Sequence, residues 1–403
     1  MAGGGRGSWA VALCVALCLA VLSGCGADPV PDAAAGDVRR LLDRRAHAVL
    51  DRDEQAYERT ERRAAGAPRP PDLLARVRAL PLDSWEYRLK SLDRTGSRAT
   101  ASAELRYRLK GHDRAPRTAA RTLTLERHGG QWYVTSERPA RQAGEQLWDQ
   151  GRVAVVRGRH SLVLGVGHST AELRGLAGPA DRAVPAVRDA WPGAWAGKVV
   201  VLVPRSLKDM ADLLGAPVSG YRGIAAVTTG EAGGSGRAPA DRILVNPEAY
   251  GILGDLGKQV VLTHETAHVA TRAHTSDATP LWLSEGFADW VGYRGTGRTA
   301  RQAAPELRRA VRGGSPPGSL PEDEDFGFAG DAGRLAQSYE GAWLACRMIA
   351  DRWGERRLTD FYRAVGEHDR RAGAVRDALR DVLHTTPRDF TARWRTYLRS
   401  ELG

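Results

Sequence analysis

The sequence predicts an α+β protein of two domains, and three observations predict it. Between residues 37 and 137, helix-like stretches precede four runs in which every second residue is apolar, the pattern of antiparallel strands with one buried face. From residue 151, short apolar strands alternate with helical stretches, and past a His-Glu-x-x-His segment the chain reads helical to its end. Its 403 residues exceed what one hydrophobic core ordinarily holds, so two domains plus appendages is the natural division.

Residues 1–25 read as an export signal: Arg6 gives a positive start, Trp9 to Leu22 form a short apolar run, and small residues follow. The run is too short for a comfortable membrane-spanning helix. Leu22-Ser23-Gly24-Cys25 resembles the bacterial lipobox, a resemblance that implies cleavage before Cys25 and its lipidation. Arg6 is the only charged residue lost on cleavage, so the net charge moves from +11 to +10. A lipid and a basic surface are two membrane signals, the combination that gives stable anchoring. The expectation is a protein lipid-anchored on the extracellular face of the bacterial cytoplasmic membrane. Residues 26–36, rich in Pro, Ala and Gly, read as its tether.

Arg dominates the positive charge. A base composition that favours Arg codons explains this plainly; attraction to anionic headgroups or wall polymers is the functional alternative. No nucleic-acid motif and no basic run with interleaved aromatics occur, so nucleic acid is not expected as a partner. Cys14, Cys18 and Cys25 fall in the first segment, leaving Cys346 alone in the body. A disulfide framework is therefore excluded there, and Cys346, within an apolar helical run, is expected as a buried, inert thiol.

In the first domain (37–137), Val38, Leu41, Leu42, Ala46, Val49 and Leu50 share one helical face, and a shorter helix lies around Leu73–Val77. Strands follow at Trp85-x-Tyr87-x-Leu89, Ala103 to Leu109, Leu123-x-Leu125 and Trp132-x-Val134, with a turn at His128-Gly129-Gly130. Helices followed by a curved meander resemble the NTF2-like cone, a fold that often holds a pocket. A spacer or accessory role is the favoured expectation, ligand or partner binding the alternative. Residues 138–150 read as a polar link.

The second domain (151–403) opens with strands at Val153–Val156 and Ser161–Gly165, a helix through 170–190, the strand Lys198–Pro204 and a helix from Leu207 to Leu214. Short strands at 223–227 and 242–246 flank a glycine loop, Gly233 to Gly236. Helices are expected at Ala300 to Arg312, 335–352, 355–368, 371–383 and 387–399. The acidic stretch Pro321 to Asp325 sits in a connector, 313–331, that is solvated or rims a cleft.

The chemistry concentrates in Val261-Leu262-Thr263-His264-Glu265-Thr266-Ala267-His268 and in Trp282-Leu283-Ser284-Glu285-Gly286-Phe287-Ala288-Asp289. Histidines four apart on a helix lie on one face, so both imidazoles reach one metal ion. Glu265 stands beside them, free to hold a water. Zinc requires a third protein ligand and an open fourth position. Glu285 is the candidate, if two helices pack side by side. His274 is the rival: it occupies the third-histidine place of a metzincin signature, but Thr271 stands where that signature requires a sharply turning Gly. The remaining histidines (47, 112, 128, 160, 168, 368 and 384) have no partner spacing.

These two segments resemble the gluzincin metallopeptidases, the peptidase MA-like families related to thermolysin and the M1 aminopeptidases, over roughly residues 150 to 400. The resemblance implies a small-sheet lobe and a helical lobe around one Zn2+. It implies His264, His268 and Glu285 as metal ligands, Glu265 as general base, and Asp289 as the acid that hydrogen-bonds a zinc histidine. Tyr339, in Ser338-Tyr339-Glu340-Gly341, is similar to the tyrosine of the M1 relatives that hydrogen-bonds the oxyanion, although the spacing to Gly341 is one residue shorter. The resemblance also implies that a strand before the zinc helix binds extended substrate, at 223–228 or at 242–246. Nothing similar to the M1 motif for a free amino terminus occurs, so an endopeptidase, or a hydrolase of cell-wall peptide, is the expected activity, with a peptide or protein as substrate.

Overall fold

The computed structural model describes residues 33–62, 73–141, 143–229, 240–327 and 331–403. The export segment with Cys25 and the Gly233–Gly236 loop lie outside the described residues. The protein is of mixed α+β class, with two sheets and a helical C-terminal part.

Helix α1 (Ala33–Asp51) buries Val38, Leu41, Leu42 and Val49 along one stripe. It starts earlier than the apolar spacing indicates, because alanines extend a helix without marking a face. Two short helices follow, α2 (Glu54–Glu58) and α3 (Leu73–Val77); Asp53 caps the former by accepting from the Ala56 N–H. Strands β1 (Leu82–Thr95), β2 (Arg98–Leu109), β3 (Arg117–His128) and β4 (Gln131–Pro139) form an antiparallel meander in that order. Strict alternation along β2 buries Ala101, Ala103, Leu105, Tyr107 and Leu109.

The most deeply buried charges of this layer, Arg45 and Arg121, are paired. The Glu137 carboxylate accepts from Arg45 at 3.2 Å, from Arg121 at 3.3 Å and from the Tyr87 hydroxyl, and Arg121 forks onto Asp149 at 2.9 and 2.8 Å. Such pairing is what burial of charge demands. Asp149 belongs to the stretch that reads as a polar link, yet this stretch is anchored: Leu147 and Trp148 are buried, and Trp148 packs against Trp85 and Tyr107 at 5.3 and 4.9 Å between ring centroids. Two apolar residues among polar neighbours are too few to show a periodicity.

The second sheet comprises β5 (Val153–Arg157), β6 (Ser161–Val166), β7 (Val199–Val203), β8 (Ala226–Thr229) and β9 (Arg242–Val245), in spatial order β5-β6-β7-β9-β8. β6, β7 and β9 run parallel, and β5 and β8 are antiparallel edges. Helix α4 (Thr170–Ala190) makes the crossover from β6 to β7, started by a Ser169/Glu172 capping box. α5 (Leu207–Leu214) and α6 (Pro247–Gly251) are short; α7 (Asp255–Thr271) carries the two histidines. Val163, Val201 and Ile243 face α4 and α7, whereas Leu162, Leu164 and Val200 face the N-terminal domain and share its core. Strands β6 and β7 are thus buried on both faces, which explains why they read as near-continuous apolar runs.

Helix α8 (Leu281–Tyr293) packs beside α7, followed by α9 (Ala300–Ala303), α10 (Pro305–Arg312), α11 (Ala332–Trp353), α12 (Glu355–Gly366), α13 (Arg371–Leu383) and α14 (Pro387–Leu402). The single helix expected over 300–312 is two, because Pro305 forces Ala304 out of helical geometry, at φ −124° and ψ 63°. An aromatic core of Trp191, Trp282, Phe287, Phe361, Phe390 and Trp394 binds this lobe. Among the described residues no helix is long and apolar enough to cross a membrane.

Candidate metal centre

Helix α7 lies under the sheet with Leu262, Ala267 and Ala270 buried, which turns the opposite side of the helix, with His264 and His268, towards a cleft of about 850 Å³. α8 comes alongside because Gly292 gives it room: a side chain there would sit 3.2 Å from the Val260 carbonyl of α7. The free N–H of Leu281 at the start of α8 donates to the Asp323 carboxylate at 2.9 Å, so the acidic loop caps the helix that carries Glu285.

The result is convergence. The Nε2 atoms of His264 and His268 stand 3.0 Å apart, and Glu285 Oε2 lies 3.3 Å from the first and 3.5 Å from the second. Tetrahedral ligands about 2.0–2.1 Å from a shared ion are roughly 3.3 Å from one another. The triangle therefore fits a zinc ion in both size and donor type. Among the described residues these three form the one group of His, Cys, Asp or Glu side chains so disposed. The His264 Nδ1 faces Asp289 Oδ1 at 2.7 Å, which orients the ring with its Nε2 towards the triangle.

Burial by itself would raise the Glu285 carboxyl, but His268 and then His264 hold it well below the usual carboxylate range. Burial would likewise lower His264; the Asp289 carboxylate, and after it Glu285 and Glu265, push it well above an ordinary imidazole. The opposed shifts reflect the close pairing of the imidazoles with the carboxylates around them.

Glu265 is 6% exposed, and its Oε2 accepts from the Thr228 hydroxyl at 2.6 Å. Tyr339 reaches the same cleft from α11, its ring edge-on to Phe326 at 5.1 Å; burial, then the Glu285, Asp289 and Glu265 carboxylates, push its phenol far up. Glu340 lines the cleft one residue on and accepts from the Glu306 and Leu307 N–H groups at 3.2 and 2.5 Å. Of the two strands left open by the sequence, 223–228 borders the cleft, whereas β9 is interior and buried along its length.

His274 is elsewhere. It ends a 3-10 turn after α7, with its ring against Trp191 at 5.5 Å and its Nδ1 3.6 Å from Glu367. Cys346 is fully buried, its Sγ 3.9 Å from the Leu283 carbonyl, and burial pushes its thiol well up. Thr228 lies in the 223–228 strand and Glu340 beside Tyr339, both singled out in the sequence as segments, but the contacts of these two side chains were not legible there. Thr228 precedes Glu265 by 37 positions, belongs to no motif, and points at Glu265 only because of where the edge of the sheet falls.

No family model matches the chain, and no curated protein does. Among solved structures, a chain designated Rd1NTF2_05 is 16% identical with a TM-score of 0.21, covering 27% of this chain and 96% of its own. The structure of native yeast LTA4 hydrolase is 11% identical with a TM-score of 0.38 over 81% of this chain. The chain spans 61% of that hydrolase's length, and both likenesses are distant.

Proposed function

We propose that the protein is a zinc-dependent peptidase of the gluzincin type, acting as an endopeptidase on peptide or protein substrates, cell-wall peptide included. The observation that carries this reading is the His264, His268 and Glu285 triangle in a cleft that also presents Glu265 and Tyr339. A zinc ion, when bound by these three side chains, supplies Lewis acidity and makes water acidic enough to lose a proton near neutrality.

The chain's own residues do the remainder. Glu265 takes a proton from the attacking water and hands it to the leaving nitrogen, so it begins and ends each turnover ionised. Its burial keeps bulk water from competing for that proton. Tyr339 donates its O–H to the oxygen that becomes negative at the substrate carbonyl, an interaction of value only in the transition state. Asp289 holds the His264 ring through Nδ1 and so fixes the tautomer that leaves Nε2 as a ligand. Among the described residues β8 is an edge strand, and its outer edge offers its backbone to an extended peptide.

The test is zinc per chain together with hydrolysis of quenched fluorescent casein. We expect one zinc in the wild type, its loss in Glu285→Ala and its retention in His274→Ala. Glu265→Gln should keep the metal and lose hydrolysis by at least about 100-fold. A Glu265→Gln protein with wild-type turnover would refute the mechanism. Zinc lost only with His274→Ala would assign the third ligand to His274.

We further propose, from residues 1–25, that the protein is lipid-anchored through Cys25 outside the cytoplasmic membrane, with its basic surface as the second attachment. Cys25→Ser should release it from the membrane fraction of expressing cells; an equally membrane-bound variant would argue against the anchor.

A further inference from the structure

We propose that Thr228 is a positioning residue for Glu265: it occupies one carboxylate oxygen and leaves the other for the reacting proton. This rests on the peptidase reading above. Thr228 is the third residue of β8, paired with Ile243 of β9. Its Oγ1 lies 2.6 Å from Glu265 Oε2 and 3.1 Å from the Glu265 carbonyl oxygen. A hydroxyl has one proton to give. The short contact to a charged acceptor identifies the carboxylate as its recipient.

The placement is set by the sheet. Strand alternation turns the next residue, Thr229, to the other side, where its hydroxyl reaches the Arg242 carbonyl and it lines a separate cavity of about 220 Å³ between the two sheets. A one-residue shift of β8 against β9 would turn Thr228 itself to the other face, away from Glu265. Thr is also stiff about χ1, whereas the terminal carboxylate torsion of a glutamate is broad and unheld by its own geometry. The Thr228 hydroxyl removes that freedom. With Oε2 occupied, Oε1 is the basic oxygen, taking the proton from water and giving it to the leaving nitrogen, while the Thr228 proton stays on its own oxygen throughout.

Thr228→Val removes the hydroxyl at nearly constant shape, and Thr228→Ser restores it. Crystal structures of wild type and Thr228→Val would read the Glu265 orientation; zinc per chain and casein hydrolysis would be measured alongside. We expect wild-type zinc in the variant, a Glu265 carboxylate that no longer holds one orientation, and kcat lower by about 10- to 100-fold with KM little changed. Thr228→Ser should recover most of kcat. The proposal is overturned if Glu265 keeps its orientation in Thr228→Val, if kcat is unchanged there, or if Thr228→Ser is as impaired as Thr228→Val. Wild-type protein without zinc, or hydrolysis by Glu265→Gln, would instead overturn the peptidase reading; the crystallographic comparison would still decide whether Thr228 orients Glu265.

Discussion

Glu340 shows how one side chain ties the cleft wall to the helices behind it. Its carboxylate accepts the first N–H groups of α10, a favourable arrangement for a negative charge at a helix start. Burial nevertheless dominates: it pushes the Glu340 carboxyl up to about 7, the two backbone donors pulling it down, Glu306 raising it and Arg309 lowering it. The folded protein therefore holds a proton on Glu340 at pH values where the unfolded chain has released it. Stability contributed by this group is fully present below pH 4.5, the ordinary value, and is lost as pH rises through about 7. Relative to Glu340→Gln, the wild type should lose thermal stability between pH 5 and pH 8, measured as Tm against pH; a pH-independent difference would rule this out. No spacing rule marks Glu340, because its role arises from α10 beginning opposite it.

At the scale of elements, the His264, His268 and Glu285 cluster depends on α8 being held between α7 and α11. Gly286 follows Glu285, and a side chain there would lie 2.3 Å from the Ala342 carbonyl oxygen of α11 and 3.1 Å from the Cys346 sulfur. Backbone cannot yield to that contact as a flexible side chain can. Gly286→Ala should cost about 1–3 kcal/mol by overpacking, read by urea unfolding, and should lower zinc per chain because the shift carries Glu285 with it. An unchanged unfolding midpoint would show that the helices separate without strain. The helical period made His264 and His268 neighbours in advance of any structure. Placing Glu285 beside them required knowing that a second helix lies alongside, whereas His274 lies away from the cluster, where the chain turns off after α7.

Across the whole molecule, the β1–β4 meander with α1 is built onto the second sheet. Leu162, Leu164, Val166 and Val200 share one core with Trp85, Leu147 and Trp148, so the sheet that ends in β8 is sandwiched between that meander and the helices of the cleft. Aromatic and charged side chains pack the inner face of the first sheet, with the link residue Trp148 among them. Trp148→Ala should destabilise the full chain by about 3–5 kcal/mol, measured by chemical denaturation, while wild-type zinc per chain is kept in the folded protein. A loss below about 1 kcal/mol would mean that the two sheets are coupled weakly.

What the sequence determined by itself follows from periodicities local to one element. Spacing of three and four placed α1, alternation placed the meander, and the four-residue step between His264 and His268 brought two imidazoles to one helical face. Proximity between elements was decided by tertiary structure alone. The partner of Glu265 is fixed by which strand forms the sheet edge. The helix cap at Leu281 comes from Asp323, 42 residues away, and Trp148 finds Trp85 across a turn of the whole chain. Contacts of that range leave no repeat in the sequence, because packing selects them through shape and burial rather than through spacing.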